Sequence, residues 1–302
     1  MSLRSTVRAL PTLFRVGFAE MVAYRAEMLV WVLATTMPLI MLALWSAVAH
    51  DAPVGKFDQQ DFVAYFLATF IVRQLTGAWV AWQLSFEVRT GTLAMRLLRP
   101  VHPMVSYAVE NLAAIPLRLI VALPVAVIAL VLTGAGRLPR DPLLWVVFLL
   151  ALVGGWLITF LANAAIGTLA LWTGSSVKLM DVWLALFMVF SGYLIPVELF
   201  PPLIRGTIEV LPFRYQIGFP VELLTRGLDR AAALRLLLGQ WIWVGLFLLG
   251  VRALWRRWKT VKRGTRAVRV QNSETRPSST KSARYWSPSK TELRTCTRKS
   301  RQ

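Results

Sequence analysis

Thiols and imidazoles are nearly missing from this chain: its 302 residues include one cysteine, Cys296, and two histidines, His50 and His102. A lone cysteine excludes an intramolecular disulfide and any zinc site built on thiolates. Two histidines so far apart cannot form the HExxH motif, which needs both on one helical face. Also absent is the G-x-x-x-x-G-K-[ST] loop that cradles ATP phosphates. If ATP drives this protein, a separate chain must bind it. Charge is scarce too: charged residues make up 16% of the chain and hydrophobic ones 56%, where a soluble domain carries about 25% charged. Residues 1–27 contain Arg4, Arg8, Arg15, Glu20, Arg25 and Glu27, so no clean apolar stretch suggests a cleaved signal peptide.

What the chain has in abundance is uninterrupted apolar sequence. Several windows run about 20 residues with almost no charge, the length that crosses ~30 Å of hydrocarbon as a helix. The expected class is therefore all-α and polytopic, with six transmembrane helices. They are read at about Met28–Ala49, Phe62–Gln83, Val109–Leu132, Leu143–Trp172, a fifth from Leu179 that breaks at Gly192–Pro196, and Ala232–Trp255. Pro116 and Pro124 are able to kink the third. The small residues Gly154, Gly155, Ala162, Ala164, Ala165 and Gly167 in the fourth let helices approach closely. Ahead of the first span, Leu3, Val7, Leu10, Phe14, Phe18 and Met21 recur at nearly helical spacing. That pattern reads as an interfacial amphipathic helix interrupted near Pro11, or as an ordinary soluble helix leading into a span.

Basic residues set the orientation. Of a net charge of +19, the last 47 residues carry +13, from 15 Lys+Arg and 2 Asp+Glu. They follow directly on the last span, so both termini are expected on the cytoplasmic side of the cell membrane. The domains read as 1–27 (interfacial helix), 28–255 (membrane domain) and 256–302 (a basic, Ser/Thr-rich tail of disordered composition). Arg252, Arg256, Arg257, Lys259, Lys262 and Arg263 suit anionic lipid at about 1 kcal/mol per basic residue near the surface. Beyond about residue 265, the tail reads either as a lipid-binding extension or as a shifted reading frame. Nucleic acid is not an expected partner, because Tyr285 and Trp286 are the tail's only stacking aromatics after Trp258.

Two segments go beyond generic membrane helix. One is the basic, amphipathic loop Glu87-Val-Arg-Thr-Gly-Thr-Leu-Ala-Met-Arg-Leu-Leu-Arg-Pro100 between spans two and three. The other is Phe190-Ser-Gly-Tyr-Leu-Ile-Pro-Val-Glu-Leu-Phe-Pro-Pro202, followed by Leu211-Pro-Phe-Arg-Tyr215 and Gly218-Phe-Pro-Val-Glu-Leu-Leu224. Together they make residues 1–260 resemble the ABC-2 type permease family, the membrane subunits of ATP-binding-cassette exporters. The resemblance implies an ABC ATPase subunit in two copies as partner, with ATP and Mg on that partner and no cofactor in this chain. It also implies a second permease, as a homodimer or with a sister protein. The residues it places in the ATPase-coupling loop are Glu87, Arg89, Gly91, Thr92, Leu93, Arg96, Leu97 and Arg99, with Leu93, Leu97 and Leu98 as apolar contacts. On composition alone, the same loop is a basic segment resting on anionic lipid. Short re-entrant helices between spans five and six would be built around Gly192, Pro196, Glu198, Phe200, Pro201, Pro212, Phe213, Tyr215 and Pro220. In that reading Phe200, Phe213, Tyr215 and Phe219 are interfacial aromatics; the other reading is a plain extracellular loop with a helix on the membrane surface.

Arg73, Glu110 and Arg118 fall within or at the edge of spans, where a charge costs about 2.5–3.5 kcal/mol at a helix centre. They are candidates for a transport pathway or for structural pairs, Glu110 with an arginine of a neighbouring helix. Two other functional classes compete with an exporter. A channel or carrier independent of ATP needs no partner ATPase, and an intramembrane enzyme would need catalytic groups that the spans lack, since neither histidine lies in one.

Overall fold

The computed structural model describes residues 3–133, 139 and 141–274. Helix is the regular structure among them, beside one isolated bridge between Val54 and Phe57. In chain order the helices are α1 Leu3–Ala23, α2 Arg25–Ala34, α3 Met37–Val48, α4 Gln59–Thr76, α5 Val80–Thr90, α6 Leu93–Leu98 and α7 Pro103–Ala113. They continue with α8 Ile115–Thr133, α9 Pro142–Thr173, α10 Val177–Phe190, α11 Pro202–Val210, α12 Gly218–Thr225 and α13 Arg230–Glu274. The chain divides into two compact units, Met1–Trp255 and Arg256–Gln302. In the second unit the residues up to Glu274 are helical, although composition suggested disorder for that stretch. The rest of the tail lies outside the described residues.

Four helical stretches are long and apolar enough to cross a membrane: Gln59–Thr90, Pro103–Ala129, Pro142–Thr173 and Arg230–Thr260. The expected first and fifth spans take another form. The first is divided into α2 and α3 at Thr35 and Thr36, because Pro38 has no N–H to donate back to Ala34. Thr36 closes α2 by donating both its N–H and its hydroxyl to the Leu33 carbonyl, at 3.1 and 2.8 Å. The fifth is α10, 14 residues long, which ends before the turn at Gly192. Two of the long stretches are interrupted as well. Gly77 to Trp79 separate α4 from α5, and Ala114 separates α7 from α8 just before Pro116, which has no N–H to donate back to Leu112. By contrast α1 runs through Pro11, against expectation: the missing N–H removes one bond, to Val7, and the ladder resumes.

The helix ends carry their own signals. Asp58 and Asp61 form a reciprocal cap on α4, with each side chain accepting from the other's backbone N–H at 2.6 and 3.0 Å. Asp141 caps α9 by accepting from the Leu143 N–H, and Gly174 ends that helix in the left-handed conformation.

α9 is apolar on all sides: its buried faces pack against α4, α5, α10 and α12, while Val146, Leu149 and Val153 of its N-terminal half face outward and are half or more exposed. Its small residues mark the closest approaches. A β-carbon on Gly155 would sit 2.9 Å from the Gln216 carbonyl oxygen, and one on Gly167 would sit 3.0 Å from Ala81 Cα. At the periphery the apolar side chains point outward, with Ile120, Val127 and Val131 of α8 and Leu238, Ile242 and Leu249 of α13 all more than half exposed. Ridges this apolar on two helices suit lipid as their solvent.

Candidate functional site

Three clusters of polar side chains stand out, one at each end of the long helices and one midway. The first joins α5, α6 and α7. Gly91 closes α5 with φ +77°, a conformation that carries little penalty without a β-carbon, and the chain reverses into α6. Arg96 of α6 thereby returns onto α5 and α7. Its Nη2 donates to Glu87 Oε1 and its Nη1 to Glu110 Oε1, both at 2.6 Å, while Nε donates to Glu87 Oε2 at 3.0 Å. Tyr107 donates its hydroxyl to Glu87 Oε2 and Gln83 its amide to Glu110 Oε2, each at 2.6 Å. The guanidinium also lies 4.2 Å over the Tyr107 ring. Burial opposes the charge on Arg96, yet the hydrogen bonds to Glu110 and Glu87 hold its pKa above the ordinary arginine value. The arrangement is a clamp: one cation bridges carboxylates from two helices and fixes the short helix between them.

This changes what the loop presents outward. Leu93 is buried under α6 and Leu97 is half-buried, so of the three expected apolar contacts only Leu98 is exposed, joined by Met95 and Phe86. Arg89, Thr92 and Arg99 are exposed. Glu110, expected among the intramembrane charges, belongs to this cluster and meets an arginine of the loop. Gln83, four residues before Glu87, and Tyr107, three before Glu110, were not singled out from sequence. Their i,i+4 and i,i+3 spacing to the acids was the signal that could have found them. α1 packs against α7 beside this cluster, with Gly17 closely opposed to Ala113 and Glu110.

The second cluster lies where the helices are interrupted. Arg118, near the middle of the Pro103–Ala129 stretch, is buried and donates Nη1 to the carbonyls of Gln74 and Gly77 at 3.2 and 3.0 Å. Those carbonyls sit at the C-terminal end of α4, where no following turn can satisfy them. Arg118 thus caps a helix end inside the bundle, and the missing side chain at Gly77 leaves room for it. Other freed groups are met similarly. Asn111 Oδ1 accepts from the Trp79 N–H at 3.1 Å, Gln74 donates to Thr35 Oγ1 at 3.0 Å, and the Tyr193 hydroxyl donates to the Thr35 carbonyl at 3.2 Å. Arg73 lies 4.9 Å from the Phe187 ring centroid, beside Tyr193.

The third cluster ties down residues 191–228. Gly192 adopts φ +84°, its carbonyl accepts from the Tyr65 hydroxyl at 2.9 Å, and the Ser191 carbonyl accepts from the Gly218 N–H at 2.9 Å. Arg214 and Glu222 form a buried pair at 2.7 Å, and Arg226 pairs with Glu198 while lying 4.0 Å over Phe57. Gln240 of α13 donates to the Ala151 and Tyr215 carbonyls at 2.9 and 2.8 Å. Phe213, Tyr215 and Phe219 are buried in protein, which corrects their reading as interfacial aromatics. Pro196, Pro212 and Pro220 are buried too, Phe200 is half-buried and Pro201 exposed. The segment is a packed cover; α11 alone turns an apolar face outward, with Leu203 and Val210.

Long apolar helices, outward-facing aliphatic ridges and polar groups gathered inside the bundle define an all-helical membrane protein. The family description "ABC-2 family transporter protein" matches residues 28–260, and the chain belongs to that family. Its members are the membrane subunits of ABC transporters, which work with a separate ABC ATPase. No curated protein matches the chain.

Proposed function

We propose that this protein is the permease subunit of an ABC exporter, moving a substrate outward across the cell membrane with ATP hydrolysed on a separate subunit. The observation that carries the reading is the family match over residues 28–260 in a chain without a phosphate-binding loop. Six segments would cross the membrane: the four long helical stretches, the α2–α3 pair, and α10 with the turn after it. Both termini would be cytoplasmic, consistent with the basic residues after the last span.

In this arrangement α1 and the α5–α6 turn rest on the ATPase, with Met95, Leu98, Arg89 and Arg99 available to it. The Arg96 clamp makes α6 rigid relative to α5 and α7, so a push on the turn moves both long stretches together. Residues 191–228 close the outer end of the bundle. An enclosed pathway needs a second permease and two ATPase copies, and the basic residues past Trp255 would rest on anionic lipid. The test is co-purification with an ABC ATPase, followed by ATP-dependent uptake of lipophilic compounds into inside-out vesicles. Transport by the purified chain without any ATPase would refute the proposal.

A further inference from the structure

Arg73 and Arg118 stand apart from the other buried cations. Arg96, Arg214 and Arg226 each face a carboxylate. Among the described residues neither Arg73 nor Arg118 forms an ion pair, although each lies near the middle of a long apolar stretch. The partners of Arg118 are two carbonyl oxygens, which supply dipoles and no net charge. Arg73 lies against aromatic faces, 4.9 Å from the Phe187 ring centroid and 6.0 Å from that of Tyr193. Arg118 reaches the carbonyl of Gln74, the residue next to Arg73, so the two cations meet at the same end of α4. A pair of like charges in hydrocarbon without a counter-charge is costly, and fixed dipoles neutralise neither.

Five acids of the membrane domain are already engaged by other arginines. Glu87 and Glu110 hold Arg96, Glu222 holds Arg214, Glu198 holds Arg226, and Asp141 holds Arg230. The surroundings suit an apolar body: Arg73 lies beside Phe187 and Tyr193, and Arg118 lies 4.7 Å over the Trp79 ring. Arg73 is half-buried whereas Arg118 is covered, so Arg73 is the cation a ligand can reach. Arg118 holds the interrupted end of α4 in place beneath it.

We propose that Arg73, backed by Arg118 and flanked by Phe187, Tyr193 and Trp79, forms a site inside the membrane for the acidic group of an amphiphilic anion. The site rests on the transport reading, for which it names the substrate class. The shared chemistry is one sulfonate, phosphate or carboxylate on an apolar body, whether a lipid or a free compound supplies it.

The experiment uses the full chain in nanodiscs of neutral phosphatidylcholine without ATP. Anilinonaphthalene sulfonate is titrated by fluorescence, with uncharged N-phenylnaphthylamine as its counterpart of similar ring structure. Saturable sulfonate binding is expected, weakened about tenfold or more by Arg73→Gln and within about threefold of the parent in Arg73→Lys, since the contact is mainly one of charge. N-phenylnaphthylamine is expected to bind parent and Arg73→Gln alike. Should Arg73→Gln fail to fold, competition on the unaltered protein serves instead: decyl sulfate displaces the probe and decanol does not.

Equal sulfonate affinity in the parent and Arg73→Gln overturns the site. So does the absence of saturable binding beyond empty nanodiscs, the outcome if a second copy already neutralises the pair. Competition by phosphatidylglycerol in the disc makes a lipid the source of the anion; its absence points to a free amphiphile, and either result sustains the site. A charge-dependent site without ATP-driven efflux refutes the transport reading and leaves the site standing. Efflux with charge-blind binding does the reverse.

Discussion

Replacing Arg96 with methionine removes one cation from between two carboxylates and keeps most of the side-chain volume. The guanidinium donates to Glu87 through Nε and Nη2 and to Glu110 through Nη1, with contacts as short as 2.6 Å. Removing one partner of a buried pair costs about 3–5 kcal/mol, chiefly because the other is left charged and unpaired. Here two carboxylates are left, and they repel each other. The side chains of Arg96, Glu87 and Glu110 retain 13%, 12% and 17% exposure, so water relieves part of this and about 2–4 kcal/mol remains. At about 2–4 °C per kcal/mol for a chain of this size, the unfolding midpoint in nanodiscs should fall by roughly 4–16 °C. Arg96→Lys keeps the charge but cannot form the two-pronged contact, so it should lie between methionine and the parent. With α6 loosened, ATP hydrolysis by the assembled complex should continue while transport per ATP falls. An Arg96→Met protein that melts within about 2 °C of the parent and transports with the same ATP ratio would refute the clamp.

Two glycines with left-handed backbones should respond differently to alanine. At Gly192 a β-carbon would collide with the Tyr65 hydroxyl, whereas at Gly91 nothing lies within 4 Å; Gly91→Ala should cost about 1–2 kcal/mol from backbone strain and Gly192→Ala clearly more, read as unfolding midpoints. For the buried Arg214–Glu222 pair, Glu222→Leu alone should destabilise by about 3–5 kcal/mol, and adding Arg214→Met should recover much of the loss; a double variant no better than the single one would argue against an isolated pair. Asp141 is held below its ordinary pKa by the Arg230 hydrogen bond and then by the Leu143 N–H. Because the folded value is the lower one, this contribution is present above the usual carboxylate range and is lost as pH falls through the depressed value. Asp141→Asn should therefore melt below the parent at neutral pH and converge with it in acid.

Class and helix content were legible because they depend on composition and run length, which act locally: about 20 apolar residues can hide their backbone from lipid only as helix. Hydropathy averages over a window, however, and is blind to a break of two or three residues inside it. The interruption at Gly77–Trp79 went unread for that reason, since Ala78 and Trp79 are as apolar as the helices beside them. The division of the first span at Thr35–Thr36 was missed likewise, although Pro38 marked it. Small residues in α9 were legible as places of close approach. Their counterparts on Gln216 and Ala81 were not, because each is set by how distant segments pack.

The charged residues show the same division. Arg73, Glu110 and Arg118 were conspicuous one by one, since any charge in an apolar run is. Their different circumstances emerged only in three dimensions. Glu110 meets a loop arginine 14 residues earlier, Arg118 meets carbonyls more than 40 residues away, and Arg73 meets aromatic rings more than 100 residues along. The sequence alone determined that the protein is a bundle of apolar helices with the family's two motifs, because solvent and local hydrogen bonding dictate that much. Only the tertiary structure decided which of these charges meet a carboxylate and which meet carbonyls or aromatic rings, because partnership in a low-dielectric interior depends on distances of a few ångströms between groups the chain brings together from afar.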